Sequence, residues 1–229
     1  MTSLKTVIRK RYFVEIVLGI VMVLLFLAVS AWQSSGTLTK AEVDQYIDIM
    51  EKNLPVEIED RDEFIARMRD WGKSDDGKPV YMLNLMRFYD QIKPVPGVPE
   101  TITPMEANEH YEDVMAPKLI KSGSYPYFGG DTSGISEGQE KSNLLVYEPE
   151  LDNWDRVLIV RYTGRRAFFD LVTDPEYLKV EPYKRASLKV VLAPLSRDIG
   201  IPDLRWIAGG IGLTIFLLVG WIRSTRRAM

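Results

Sequence analysis

The chain has 229 residues, of which 46% are hydrophobic and 27% charged, and its formal net charge is −3. That balance excludes a protein that binds nucleic acid through bulk positive charge. Aromatic residues make up 10% of the chain, which argues against intrinsic disorder. Cysteine is absent, so disulfides, thiolate zinc sites and thiol nucleophiles are excluded.

Two uncharged apolar runs stand near the two ends of the chain. Ile16 to Trp32 and Trp206 to Ile222 each extend for 17 residues without a charge. With a few flanking apolar residues, each run reaches the ~20 residues that a helix needs to cross a membrane. The sequence therefore predicts transmembrane helices at 12–32 and 204–222. A cleaved signal peptide is the alternative for the first run, since basic residues precede it and Val29-Ser30-Ala31 resembles a cleavage site.

Charge predicts the orientation of the chain in the membrane. Basic residues concentrate in the tails 1–11 and 223–229, which the positive-inside rule places in the cytoplasm. Residues 33–203 carry 31 acidic and 21 basic residues, a net charge near −10, and are predicted to be extracytoplasmic. We expect a two-pass protein of a bacterial inner membrane. Ala208 and Gly212 form a small-xxx-small pair in the second span, a pattern that permits packing against another membrane helix.

Residues 33–77 read as a linker followed by two helices. Thr39 and Glu42 form a capping box ahead of an apolar face, which predicts a helix to Asn53. Asp60 and Glu63 predict a second capping box, and Gly72 a plausible end for that helix.

The pattern of strands and helices in residues 78–198 predicts an α+β domain. Strands are expected at 79–88, 125–130, 154–162 and 188–195, with a short extended piece at 143–147. Helices are expected from Thr103 to about Ser122, bent or broken at Pro117, and at 165–172. Asp174-Pro175-Glu176-Tyr177 reads as a helix stop and turn. The order strand, helix, strand, strand, helix, strand is that of the ferredoxin-like fold.

Four segments carry a family resemblance: KPVYMLNLMRF (78–88), EHYEDVMAPKL (109–119), WDRVLIVRY (154–162) and AFFDLVTDPEYLKVEPYKRASL (167–188). Together they resemble a bacterial family of unknown function in the dimeric α/β-barrel superfamily, which also includes cofactor-independent monooxygenases and muconolactone isomerases. The resemblance covers about residues 78–195. It implies a homodimer that pairs sheet to sheet, and a barrel that holds a small, often apolar ligand.

Candidate site residues follow from polar groups within apolar elements. Asn84 shares a strand face with Met82 and Met86, so it is either a pocket donor and acceptor or a satisfied core amide. His110 is the only histidine, which excludes a two-histidine metal site; it is either a structural residue or an acid/base that acts with Asn84. An aromatic and basic set is expected to line an apolar ligand-binding pocket, with core or interface packing as the alternative: Tyr125, Tyr127, Trp154, Arg161 and Tyr177.

Three functions remain open at this point. The first is a membrane-anchored module that binds a small apolar ligand or acts as a scaffold. The second is a cofactor-independent monooxygenase or isomerase with Asn84 and His110 as catalytic residues. The third is an accessory subunit of a larger membrane complex. No metal, cofactor or nucleic-acid partner is expected, because no phosphate loop, dinucleotide fingerprint or metal-binding motif is present in the sequence.

Overall fold

A computed structural model describes residues 13–55, 60–132, 154–195 and 204–227. The chain divides into two units, Met1–Ser196 and Arg197–Met229. The predicted extended piece at 143–147 lies outside the described residues.

Both predicted membrane segments are helical. Helix α1 spans Phe13–Trp32 in the first unit, and helix α7 spans Leu204–Arg227 in the second. Within the described positions, no helix combines the length and the apolarity that a membrane crossing requires. The prediction of two membrane-spanning helices is therefore not supported by the structure.

Two amphipathic helices follow α1. Helix α2 (Lys40–Asn53) begins at the predicted capping box, in which Thr39 and Glu42 bond each other's backbone N–H groups. Helix α3 (Arg61–Lys73) departs from prediction at both ends. Asp60 adopts a left-handed backbone and its side chain makes no cap bond, and Gly72 is buried inside the helix rather than following it. A Cβ at Gly72 would lie 2.9 Å from a Val43 methyl carbon, so glycine there permits close packing of α3 on α2.

A four-stranded antiparallel sheet forms the centre of the domain. Its strands are β1 (Val80–Phe88), β2 (Tyr125–Asp131), β3 (Arg156–Tyr162) and β4 (Leu188–Leu195). They lie in the order β2-β3-β1-β4, and every neighbouring pair is antiparallel. This order and the intervening helices give the predicted α+β, ferredoxin-like arrangement.

Three further helices connect the strands. They are α4 (Pro104–Lys121), α5 (Arg165–Val172) and α6 (Pro175–Ser187). Helix α4 begins at the Thr103/Glu106 capping box and continues through Pro117, where a bend or break was expected. The turn predicted after Asp174 is wrong. Asp174 instead caps α6, accepting a bond from Glu176 N–H, and Pro175 occupies the first helical position, where its missing N–H costs nothing.

The two faces of the sheet differ in what covers them. Val80, Met82, Asn84 and Met86 are buried on the face that packs against the helices, as strand alternation predicted. That face meets residues of α2, α3, α4 and α5 in one core cluster. The opposite face carries Tyr81, Leu83 and Leu85 of β1, and none of the residues in the core cluster belongs to this face. We refer to it below as the open sheet face.

The last residue of α1 and the residue that follows it contact the turn between α4 and β2. Trp32 donates its indole N–H to Lys121 O at 3.2 Å, and Gln33 donates its amide to Gly123 O at 2.9 Å. Gln33 also accepts a bond from Arg161 through its side-chain oxygen. Gly123 has φ +77°, and a Cβ there would lie 2.4 Å from Trp32 O. Glycine at 123 is therefore required by both conformation and space.

Candidate functional site

A partly open cavity of about 430 Å³ lies between the helix-facing side of the sheet and helix α4. This size suits a small organic molecule. Its apolar wall includes Met86, Met115, Leu119, Leu158, Val160 and Leu171. Its polar residues are Asn84, Asn108, Tyr111, Glu112, Asp131, Arg156, Tyr162 and Lys184. The cavity is thus an apolar space with a limited set of polar groups on its walls.

Asn84 lies on the floor of this cavity. Its side chain is 6% exposed, and its amide nitrogen donates to Met82 O at 3.0 Å and to Leu158 O at 3.2 Å. Both donors are therefore used by the backbone of β1 and β3. Its oxygen has no described protein donor, which leaves it available as an acceptor. Asn84 combines the two roles that the sequence left open, because its nitrogen is a structural group and its oxygen can face a ligand.

Arg156 organises one side of the cavity. Its guanidinium contacts Glu112 Oε1 at 3.3 Å and Asp131 Oδ1 at 2.7 Å. Asn108, which is 1% exposed, donates to the same oxygen of Glu112 at 2.8 Å. Strand β3 thereby joins helix α4 and strand β2. Both carboxylates on this wall are held by the single guanidinium of Arg156, so the wall is preorganised rather than free to rearrange.

Two tyrosines and one lysine also line the cavity. Tyr162 is 7% exposed, and burial raises the pKa of its hydroxyl, with Tyr111 adding to the shift. Burial also raises the pKa of Tyr111, and the nearby Glu112 and Glu181 add to it. Both phenols therefore stay protonated at neutral pH. Lys184 places Nζ 5.0 Å from the ring centre of Tyr111, and burial lowers the pKa of its ammonium.

His110 is not part of this site. It is exposed on helix α4, and its ring contacts that of Tyr183 at a tilt of 49°, with centroids 4.4 Å apart. It does not line the cavity, whereas Asn84 does. The structure therefore does not bring together the predicted pair of Asn84 and His110. The physical reason is helix geometry, since His110 lies two positions from the buried Asn108 and so points away from it.

Most of the predicted ligand-binding set lies on the other side of the sheet. Arg161 is paired in register with Tyr81 and Tyr125, so all three belong to the open sheet face. Arg161 lies over the Tyr125 ring at 5.5 Å, and the rings of Tyr81 and Tyr127 are 5.2 Å apart. The guanidinium carbon of Arg87 lies over the ring of Trp154, 5.1 Å from the ring centre. These residues form a cation and aromatic cluster, but they do not line the cavity.

Tyr177 belongs to a second cavity. This space, also about 430 Å³, lies among α2, α3, α6 and β4, and Met50, Phe64 and Leu192 are among its lining residues. Lys184 lines both cavities. The predicted aromatic set therefore does not line one shared pocket.

Sequence reasoning did not predict the following polar lining residues: Asn108, Tyr111, Glu112, Asp131, Arg156 and Lys184. One signal was available for Arg156, which stands two positions before Leu158 and shares its strand face. No local pattern distinguishes Lys184, because its helix was read as a turn. Among the described residues, no group of three His, Cys, Asp or Glu side chains is arranged to hold a metal ion.

Comparison with known proteins shows the fold. No protein-family model and no curated protein matches the chain. The methylated RPA0582 protein matches at 24% identity and a TM-score of 0.50, over 66% of this chain and 97% of its own. A second RPA0582 structure, from Rhodopseudomonas palustris and described as of unknown function, matches at 23% identity and a TM-score of 0.49, over 65% and 98%.

SnoaB, a cofactor-independent oxygenase from Streptomyces nogalater, matches at 13% identity and a TM-score of 0.32, over 55% of this chain and 99% of its own. At that level the match to SnoaB carries no argument about function. Likeness to RPA0582 supports the α+β arrangement with its four-stranded antiparallel sheet, and nothing beyond the fold.

Proposed function

We propose that the ferredoxin-like domain binds a small, largely apolar molecule in the cavity beneath helix α4. The observation that carries this proposal is the cavity itself, about 430 Å³ with apolar walls and a few fixed polar groups. A partly open apolar cavity of this size can take up a small apolar molecule, which gains free energy by burying its apolar surface there. The Glu112–Arg156–Asp131 network holds one wall in place, which lowers the cost of ordering the site on binding.

The direct test is native mass spectrometry of the full chain purified in a mild detergent. Binding predicts a reproducible mass increment that organic extraction removes and identifies. A protein that is free of any adduct, and that also fails to bind apolar probes, contradicts the proposal.

Membrane anchoring through α1 and α7 is part of the same proposal. Support comes from the uncharged 17-residue runs in the sequence and from apolar side chains exposed around most of each helix, such as Leu25 at 63% and Leu217 at 60%. A helix that is apolar on all sides requires an apolar environment. Both termini would be cytoplasmic, with residues 33–203 outside the cytoplasm of a bacterial cell. Carbonate extraction of cell membranes tests the anchoring: release of the protein into the supernatant contradicts it.

A homodimer through the open sheet face is proposed as the oligomeric state. Val191 and Leu195 are 43% and 37% exposed there, beside the half-buried Leu83 and Leu85. An apolar sheet face without a covering layer favours association. A membrane-protein partner at Ala208 and Gly212 of α7 is the accessory-subunit alternative. Gly212 has open space around it, as close helix packing needs, and a mild-detergent pull-down tests this alternative.

An enzyme of the cofactor-independent monooxygenase or isomerase kind is the second candidate function. The observation in its favour is that Tyr111, Tyr162 and Lys184 line one cavity, because protonated phenols and an ammonium can stabilise an oxyanion. The predicted base, His110, lies outside that cavity. Anaerobic and aerobic incubation with any extracted ligand, followed by product analysis, separates the enzyme from the binding module.

A further inference from the structure

Three hydrogen-bond donors of the cavity beneath α4 lack a partner in the described part of the protein. They are the hydroxyls of Tyr111 and Tyr162 and the ammonium of Lys184. Tyr162 is only 7% exposed, and it lines the cavity. None of the three is among the fully enclosed, unpartnered side-chain atoms of the described residues, which are Ser35 Oγ and Arg165 Nε, so these donors open onto the cavity, where a ligand can supply an acceptor.

The two carboxylates near Lys184 each form an ion pair with an arginine. Glu112 contacts Arg156 at 3.3 Å, and Glu181 contacts Arg185 at 3.2 Å. Within the described ranges, no carboxylate oxygen lies within 4.0 Å of Lys184 Nζ. The nearest described contact of the ammonium is the face of Tyr111. Lys184 therefore has no carboxylate in direct contact, although Glu112 and Glu181 act on it at longer range and partly offset the lowering of its pKa by burial.

We propose that the ligand is an apolar acid, and that Tyr111, Tyr162 and Lys184 hold its oxyanion while the apolar wall takes its hydrocarbon part. This inference rests on the proposed ligand-binding function and adds the chemical class of the ligand. The two phenols are protonated donors at neutral pH, since burial raises the pKa of both. A carboxylate, an enolate and an acidic phenolate share the required chemistry. A neutral amide of the same shape presents its own N–H donors to a wall of donors and is disfavoured.

The matched probes are 2-naphthoate and 2-naphthamide, which share a ring system and differ in the charge of one group. Binding is measured by calorimetry on the full chain in lipid nanodiscs, with empty nanodiscs subtracted for partition into lipid. We expect 2-naphthoate to bind at least 10-fold more tightly than 2-naphthamide, because a hydrogen bond to a charged group is about twice as strong as a neutral one.

Variants assign the effect to the three donors. Lys184→Met is expected to weaken 2-naphthoate binding by about 10-fold to 100-fold and to leave 2-naphthamide within about 2-fold. Lys184→Arg keeps the charge and is expected to restore part of the preference. Tyr162→Phe and Tyr111→Phe keep the ring and each lose one donor, so they test the site even where Lys184→Met is poorly folded. The control is Lys179→Met on the same helix, whose side chain is 70% exposed and pairs with Glu176.

Equal affinity for the two probes, or an equal loss of both in Lys184→Met, overturns the acid assignment and leaves ligand binding standing. If neither probe binds, the acid assignment fails, while the cavity proposal is decided separately by the mass spectrum of the purified protein. A preference for 2-naphthoate that survives all three donor variants also overturns the assignment, because it would place the anion elsewhere.

Discussion

Lys184 lies across the face of Tyr111, with its Nζ 5.0 Å from the ring centre, so helices α6 and α4 meet at the cavity through a cation and an aromatic ring. The two residues are 73 positions apart in the chain, and both belong to the cavity lining. Such a contact stabilises the packing by about 0.5–1 kcal/mol at an exposed site and by more in a desolvated one. The same contact positions the ammonium beside an apolar space, where a ligand can reach it.

Filling the cavity should abolish ligand binding. Ala116 lines the cavity from an exposed position on α4, so Ala116→Trp places an indole at its mouth. We expect at least a 10-fold loss of affinity for an apolar fluorescent probe, measured by titration. Ala66→Trp, at an exposed position of α3 outside the lining, is the control and should bind as the parent does. Equal affinities in both variants would move the binding site away from this cavity.

Removing the Asn84 amide should destabilise the domain. Asn84→Ala deletes the donors to Met82 O and Leu158 O, which costs about 1–3 kcal/mol of unfolding free energy at a buried site. Thermal unfolding followed by tryptophan fluorescence measures the loss. Asn53→Ala, which removes an exposed amide bonded to Ile49 O, is the control and should change stability by less than about 0.5 kcal/mol. A neutral Asn84→Ala would show that the two bonds contribute nothing net.

Gly123 should tolerate alanine less well than Gly97. Both glycines have positive φ, +77° and +86°, so each alanine variant pays about 1 kcal/mol for the left-handed backbone. Only at Gly123 does a Cβ also meet a backbone atom, Trp32 O at 2.4 Å; around Gly97 there is open space. We therefore expect Gly123→Ala to lower the melting temperature clearly further than Gly97→Ala. Equal shifts would mean that the segment after α1 is not held against the α4–β2 turn.

Glu42 should make the stability depend on acid pH. Hydrogen bonds from Arg166, and then from Thr39, lower the pKa of Glu42 from 4.5 to about 2. A carboxyl whose folded pKa is lowered stabilises the protein above its unfolded pKa, and that contribution is lost as the pH falls from about 4.5 towards 2. Glu42→Gln should therefore be less stable than the parent at pH 7, and the difference should shrink at pH 2–3. Urea unfolding at several pH values measures it. Glu63→Gln, from the exposed pair with Arg67, is the control and should show little difference at any pH.

A charge on the open sheet face should separate the proposed dimer. Val191 is 43% exposed on β4, and Val191→Glu buries a carboxylate in any sheet-to-sheet interface. We expect a shift to monomer by light scattering with correction for bound detergent. Met105→Glu changes an apolar residue of α4 that is 44% exposed on the helix side, and it should leave the oligomeric state unchanged. A parent protein that is already monomeric contradicts the dimer proposal.

Much of the fold was predictable because local chemistry marks it. The Thr39/Glu42 and Thr103/Glu106 boxes begin helices where expected, since side chains three residues apart can satisfy free N–H groups. Where two local signals compete, the sequence misled. Asp174-Pro175 can end one helix or begin the next, and it begins α6; Asp60 resembles a cap, but its left-handed backbone turns the side chain away from the helix N–H groups.

The sequence by itself determined the order of the four strands and of the helices other than α6, the buried face of β1, and the presence of Asn84 on that face. These follow from periodicity and capping, which act between residues close in the chain. Only the tertiary structure decided which polar groups share a cavity. It brought Tyr111 and Glu112 of α4 to Arg156 of β3 and Lys184 of α6, and it left His110 outside. The physical reason is that pairing of distant strands sets the position of each helix over the sheet, and no short-range pattern encodes that register.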